Sequence, residues 1–165
     1  MNVQRKVVRG TVAAALVAAA ATVVAPAFAH HSFAIFDGEQ TKVFTGVVTR
    51  VNPDANHLQI FFAPMNKDHT NVERDKDNKP ITWAVEMAGS AQAAKDGISV
   101  STFPQGTIIS VGLHPLRSGE PAGSRVNGGA MFKCPAKTPP APGKHCDSVA
   151  GSEKFGDGAL PDATE

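Results

Sequence analysis

Tyrosine is missing from all 165 residues, tryptophan occurs once, and aromatic residues together make up 6% of the chain. Grooves for single-stranded nucleic acid stack bases on aromatic side chains along a basic track. The track is missing too, since 16 Lys and Arg stand against 15 Asp and Glu. Nucleic acid is therefore not an expected partner. The sequence holds no G-x-S-x-G turn, no H-E-x-x-H helix and no glycine loop of phosphate-binding spacing, so no common hydrolase, zinc-protease or nucleotide-binding motif is present. Only the N-terminus carries an apolar run approaching the roughly 20 residues of a membrane span.

That run reads as a secretory leader. Arg5, Lys6 and Arg9 form a positive start, Thr11 to Val24 is an uncharged Ala/Val-rich stretch, and Pro26 precedes Ala27-Phe28-Ala29, with small residues where a signal peptidase reads. Cleavage is expected after Ala29, leaving a mature chain that starts at His30. An uncleaved anchor is the competing reading, but the stretch is mostly alanine and breaks at Pro26. Arg5-Lys6 is not a twin arginine, so unfolded export into the periplasm or medium is expected, with no membrane contact after cleavage. The leader takes three of the 16 basic residues and none of the 15 acidic ones, which turns the mature balance slightly acidic. What remains after residues 1–29 is one domain's worth of chain.

Cysteine is scarce as well. Cys134 and Cys146 are the only two, both in the exported part, in a stretch containing Pro135, Pro139, Pro140, Pro142 and Gly143. In an oxidising compartment a disulfide is the simplest outcome. A thiolate metal site using the adjacent His145 is the alternative, though C-x2-C pairs and a fourth ligand are lacking.

Between Lys42 and Lys133 apolar residues recur with the period of strands. Thr45, Val47, Thr49 and Val51 fall on one side of a first run, Leu58, Ile60 and Phe62 of a second, and Ile81, Trp83, Val85 and Met87 of a third. Gly46 suggests a bulge or bend, and Asn52-Pro53-Asp54 a turn. The charged stretch Ala63 to Pro80 reads as a long exposed loop, solvated rather than a lid. Ser90 to Lys95 has helix composition and ends before Gly97. Thr107 to Leu113 makes a fourth strand, and Ser124 to Lys133 a weaker fifth, interrupted at Gly128-Gly129. A helix between strands three and four is the order of an OB-like five-stranded barrel. The expected organisation is a leader at 1–29, the barrel at 30–133, and at 134–165 a disulfide-containing extension ending in a loose, flexible tail.

Several short motifs fall in a fixed order: His30-His31-Ser32-Phe33 with Phe36-Asp37, then Gly46-Val47-Val48, Asn52-Pro53, Trp83-Ala84-Val85-Glu86, and Gly112-Leu113-His114-Pro115-Leu116-Arg117-Ser118-Gly119. In this order, over about residues 30 to 126, the chain resembles a family of small exported bacterial proteins catalogued as domain of unknown function DUF6152. The resemblance implies fold and compartment but no chemistry. Where the family pattern has Asn-Pro-His, Asp54 follows here and the nearest histidine is His57, so that histidine's role does not carry over.

Candidate chemistry centres on the new terminus. Cleavage before His30 frees an α-amine beside that residue's imidazole, a pair that can chelate copper, with His31, His57 and His114 as candidates for a third nitrogen. The plain reading is that the peptidase simply stops there. His114 and Arg117 could form an anion contact at one barrel mouth, or simply a strand-ending turn. Trp83 with Glu86 invites sugar stacking, but at strand spacing Trp83 shares its side with Ile81 and Val85 and reads as core, with Glu86 facing away. Two functions follow: a non-enzymatic periplasmic module binding a small ligand or protein, and a copper carrier or sensor. A hydrolase would need a pocket joining His114, Glu86 and a serine.

Overall fold

The computed structural model describes residues 33–53, 57–126 and 129–164; the cleavage site, His30 and His31 lie outside them. Seven strands form one sheet: β1 (Lys42–Asn52), β2 (His57–Pro64), β3 (Trp83–Gly89), β4 (Ile108–Pro115), β5 (Ala122–Arg125), β6 (Met131–Lys133) and β7 (Glu153–Phe155). The six-residue helix α1 (Ser90–Lys95) lies between β3 and β4. β1 pairs with β2 and β4, β2 with β3, and β4 with β5, all antiparallel; the parallel β3–β5 pair closes the ring. This is the OB-like five-stranded barrel expected from the order of elements. Its fifth strand is split, as the glycine pair foretold: β5 and β6 both lie against β4, one after the other.

Alternation explains the core most simply in β2, where Leu58, Ile60 and Phe62 are 6%, 0% and 0% exposed. β3 sends in Val85 and Met87, β4 sends in Ile109, Val111 and Leu113, and Trp83 packs at the margin against Phe44. β1 corrects the expected face. Phe44 and Val48, not Thr45 and Val47, turn to the core, and only after a bulge does Val51 join them. The pairing runs Val48 to Phe62 and then Arg50 to Phe61, so Thr49 is the additional residue. One such residue exchanges the two faces of everything beyond it. Gly46 is not the bulge. It permits close approach: an added Cβ would lie 2.6 Å from a ring carbon of Phe62 and 2.8 Å from the Ala63 carbonyl oxygen.

The outward face of β1 and β4 is covered as well, which alternation alone does not foresee. Thr45 and Ser110 stand opposite each other in register and are 4% and 0% exposed. Their cover is the segment bearing the Cys134–Cys146 disulfide, whose Cα atoms are 5.0 Å apart. Both sulfurs are used in that bond, so the thiolate metal alternative does not hold.

The stretch after Gly151, expected to be loose, is instead docked. β7 extends the sheet on β6, and Phe155 meets Phe103 edge-on at 4.8 Å between ring centroids. Further on, the Ala130 amide donates to the Ala159 carbonyl at 3.2 Å and the Thr164 amide to the Thr41 carbonyl at 3.0 Å. A three-residue strand leaves no readable period, so composition alone suggested a tail.

The charged β2–β3 loop is exposed but internally bonded. Met65 bridges Val72, Arg74 bridges Pro80, and the Asp75 carboxylate accepts from the amides of Asp77 and Lys79 at 2.9 Å each. Asp75 is thus the side chain that closes the turn.

Candidate functional site

Each expected site residue within the described chain has a partner. His57, at the start of β2, bonds through Nδ1 to Glu86 Oε1 on β3. Glu86 does face away from the core, and a histidine meets it there. His114 Nδ1 lies 2.7 Å from the Gln40 carbonyl oxygen. A carbonyl only accepts, so Nδ1 carries the hydrogen and the neutral ring keeps its lone pair on Nε2. Arg117 is turned to Asp37 at 3.6 Å, and its backbone amide donates to the Ile35 carbonyl at 2.9 Å. Asp37 thus lies beside Arg117 within residues 35–40, which run beside 114–117 through a Phe36–Leu116 bridge. His57 and His114 belong to different strand pairs, and among the described residues no three His, Cys, Asp or Glu side chains form a group able to hold a metal ion.

Two other places gather chemistry that the sequence reading passed over. The first is a cavity of about 210 Å³ lined by Glu86, Gln92, Asp96, Ser124, Arg125 and Asp157, among others. Arg125 ends β5 opposite Leu113 in an antiparallel pair, so its side chain leaves on the core side. Only 7% of that side chain is exposed. Its Nε donates to the Gly129 carbonyl at 3.0 Å and Nη2 to Asp96 Oδ2 at 3.3 Å. Among the described residues Nη1 has only the Met87 sulfur, 4.0 Å away, a weak acceptor. Asp96 follows α1 directly, and the turn at Gly97, with φ of 75°, sets it there. At Gly156, whose φ is 80°, an added Cβ would lie 2.1 Å from Arg125 Nη2, so a side chain there would displace the guanidinium.

The second place is a groove of about 460 Å³ between the β2–β3 loop and the disulfide segment. Lys67, His69 and Glu73 come from the loop, Lys144 and His145 from the segment, and Val43, Phe44, Pro64 and Met65 give an apolar wall. A buried chain of polar groups runs from its edge. The Cys146 amide donates to Ser110 Oγ at 2.8 Å, Ser110 Oγ is 2.7 Å from Thr45 Oγ1, and Thr45 Oγ1 is 2.8 Å from His145 Nδ1. Burial holds the His145 pKa below the usual imidazole value; Asp147 opposes this and His69 adds to it. His69 Nδ1 donates to the Pro140 carbonyl at 3.1 Å.

The signals that could have found these residues are slight. His145 was visible only as the neighbour of Cys146, and His69 lay among loop charges. Arg125 follows Ala122, Gly123 and Ser124, a stretch too small and polar to announce an inward face.

No curated protein matches the chain. No solved structure matches it either. The sequence profile of a family does match, over residues 15–125, which is more than half the chain and includes the barrel strands through β5. The groove's second wall, residues 143–145, lies beyond that match. The chain belongs to DUF6152, a family of unknown function.

Proposed function

We propose that this protein is an exported, non-enzymatic binding module that seats a small polar ligand on Arg125 in the cavity beside α1. The carrying observation is a nearly buried guanidinium whose Nη1 is answered by no oxygen atom among the described residues. Buried donors call for acceptors, and a ligand oxygen in the cavity would serve. Asp96 already balances the Arg125 charge and Asp157 also lines the space, while the Glu86 carboxylate is held by His57. A ligand with an oxygen acceptor at one end and a cationic group at the other suits that arrangement, and the simplest such molecule is a small zwitterion. The hydrolase reading gains little: Glu86 and Ser124 line the cavity together, but His114 is held at Gln40 instead.

Glycine, acetate and methylammonium are the probes, read by thermal shift and by chemical-shift changes at Arg125 Nε. Glycine should raise the melting temperature saturably, acetate and methylammonium much less, and Arg125→Met should abolish the effect. A ligand at 100 times its Kd stabilises by about 2.7 kcal/mol, well within detection. The proposal fails if glycine behaves no differently from its two fragments, or if Arg125→Met responds as the parent does.

The copper reading rests on the sequence: His30 with its free amine would chelate the metal. Copper titration of the chain starting at His30, against one extended by an alanine, tests this. Equal weak binding by both would remove it.

A further inference from the structure

The hydrogen positions along the buried polar chain are fixed by counting donors. Ser110 Oγ accepts the Cys146 amide and is fully buried, so its own hydrogen needs an acceptor, and Thr45 Oγ1 is the one within reach. Thr45 then donates to His145 Nδ1. In the reverse order the Ser110 hydrogen would be stranded in the interior, at a cost of about 1–3 kcal/mol. His145 is therefore a neutral ring whose Nε2 carries the hydrogen. That nitrogen is a donor and not a metal ligand, since coordination would force the unfavourable order.

The charges lining the groove are mostly positive, with Asp147 close to His145 outside that lining. Lys67 and Lys144 line the groove and neither has an ion-pair partner among the described residues; Glu73 is the one acid in the lining. Val43, Pro64 and Met65 line the same groove. Two free ammonium groups and an N–H donor beside an apolar wall suit an anion with a hydrophobic body.

We infer that the groove between the β2–β3 loop and the disulfide segment is a second ligand site, one for a small organic carboxylate, whose anionic end meets Lys67, Lys144 and His145 Nε2–H while its apolar body lies against Val43 and Met65. The site is independent of the Arg125 cavity. Residues 143–145 lie outside the family match.

Benzoate is the probe, titrated into the oxidised full-length mature protein with the histidine ring signals followed by NMR. Benzamide tests the charge and inorganic phosphate tests the need for an apolar body. The inference expects benzoate to shift the His69 and His145 signals along one saturation curve, with benzamide and phosphate at least about tenfold weaker. Lys67→Met and Lys144→Met are surface changes that leave the barrel intact, and each should weaken benzoate several-fold. Arg125→Met should leave benzoate binding unchanged, which separates this site from the first. The inference is overturned if benzoate gives no saturable shift at both rings, if benzamide or phosphate binds equally well, or if both lysine variants keep the parent affinity.

Discussion

Replacing Ser110 by alanine deletes one hydroxyl from a site that is 0% exposed and changes little in shape. What it removes is the acceptor for the Cys146 amide and the donor to Thr45 Oγ1. Thr45 loses one bond yet keeps His145, whereas the Cys146 amide is left without a partner inside the protein, and such a buried donor costs about 1–3 kcal/mol. For a chain of this length each kcal/mol moves the melting temperature by roughly 3–6 °C. Ser110→Ala should therefore lower it by roughly 3–18 °C, with the circular dichroism of the barrel unchanged. A second readout tests the hydrogen order itself. Nitrogen shifts of the parent should report His145 as the tautomer protonated at Nε2, and the variant, freed of the Ser110 constraint, should mix both tautomers. The reasoning is refuted if the parent already carries its hydrogen on Nδ1, or if the variant melts with the parent.

Other consequences can be measured on the same protein. The unfolded His145 titrates near 6.5 and the folded one lower, so acid protonates the unfolded chain first; stability should fall as pH drops below about 6.5. His145→Gln should flatten that part of a pH-dependent urea midpoint curve, and a variant with the parent's slope would contradict the assignment. Gly46→Ala drives a methyl group into Phe62 and the Ala63 carbonyl, for a loss of about 1–3 kcal/mol in denaturant titration; a loss under about 0.5 would show that β2 yields easily. Reducing the Cys134–Cys146 bond, which closes a loop twelve residues apart in sequence, should cost about 2–3 kcal/mol and expose Thr45 and Ser110 to hydrogen exchange before the barrel interior.

The order of elements was legible because strands and helix differ in period, and β2 shows it cleanly in Leu58, Ile60 and Phe62. The inner face of β1 was not. Both of its faces carry apolar side chains, Val43 and Val47 on one and Phe44 and Val48 on the other, and the bulge at Thr49 leaves no mark in composition. Thr45 and Ser110 look like solvent-facing residues until the segment holding Cys146, 36 positions beyond Ser110, lies over them. The candidate sites were hidden for the same reason. Arg125 meets Asp96 across 29 positions and His145 meets Thr45 across 100, and no local pattern records pairings that distant. His57 and His114 were visible as histidines, but their partners Glu86 and Gln40 were set by strand register and by the docking of residues 35–40.

A single peptide group joins two of these features. Its carbonyl, from Gln40, accepts from His114, and its amide, from Thr41, donates to Thr164 Oγ1 at 2.9 Å. Standard bond lengths put the His114 ring within about 10 Å of the Thr164 side chain. An affinity handle of consecutive histidines fused downstream of Thr164 would emerge beside the very imidazole a copper assay interrogates, and would manufacture a high-affinity signal of its own. Purification by a handle that is removed, or one grafted into the exposed turn near Asp77, keeps that corner of the surface as the native polypeptide presents it.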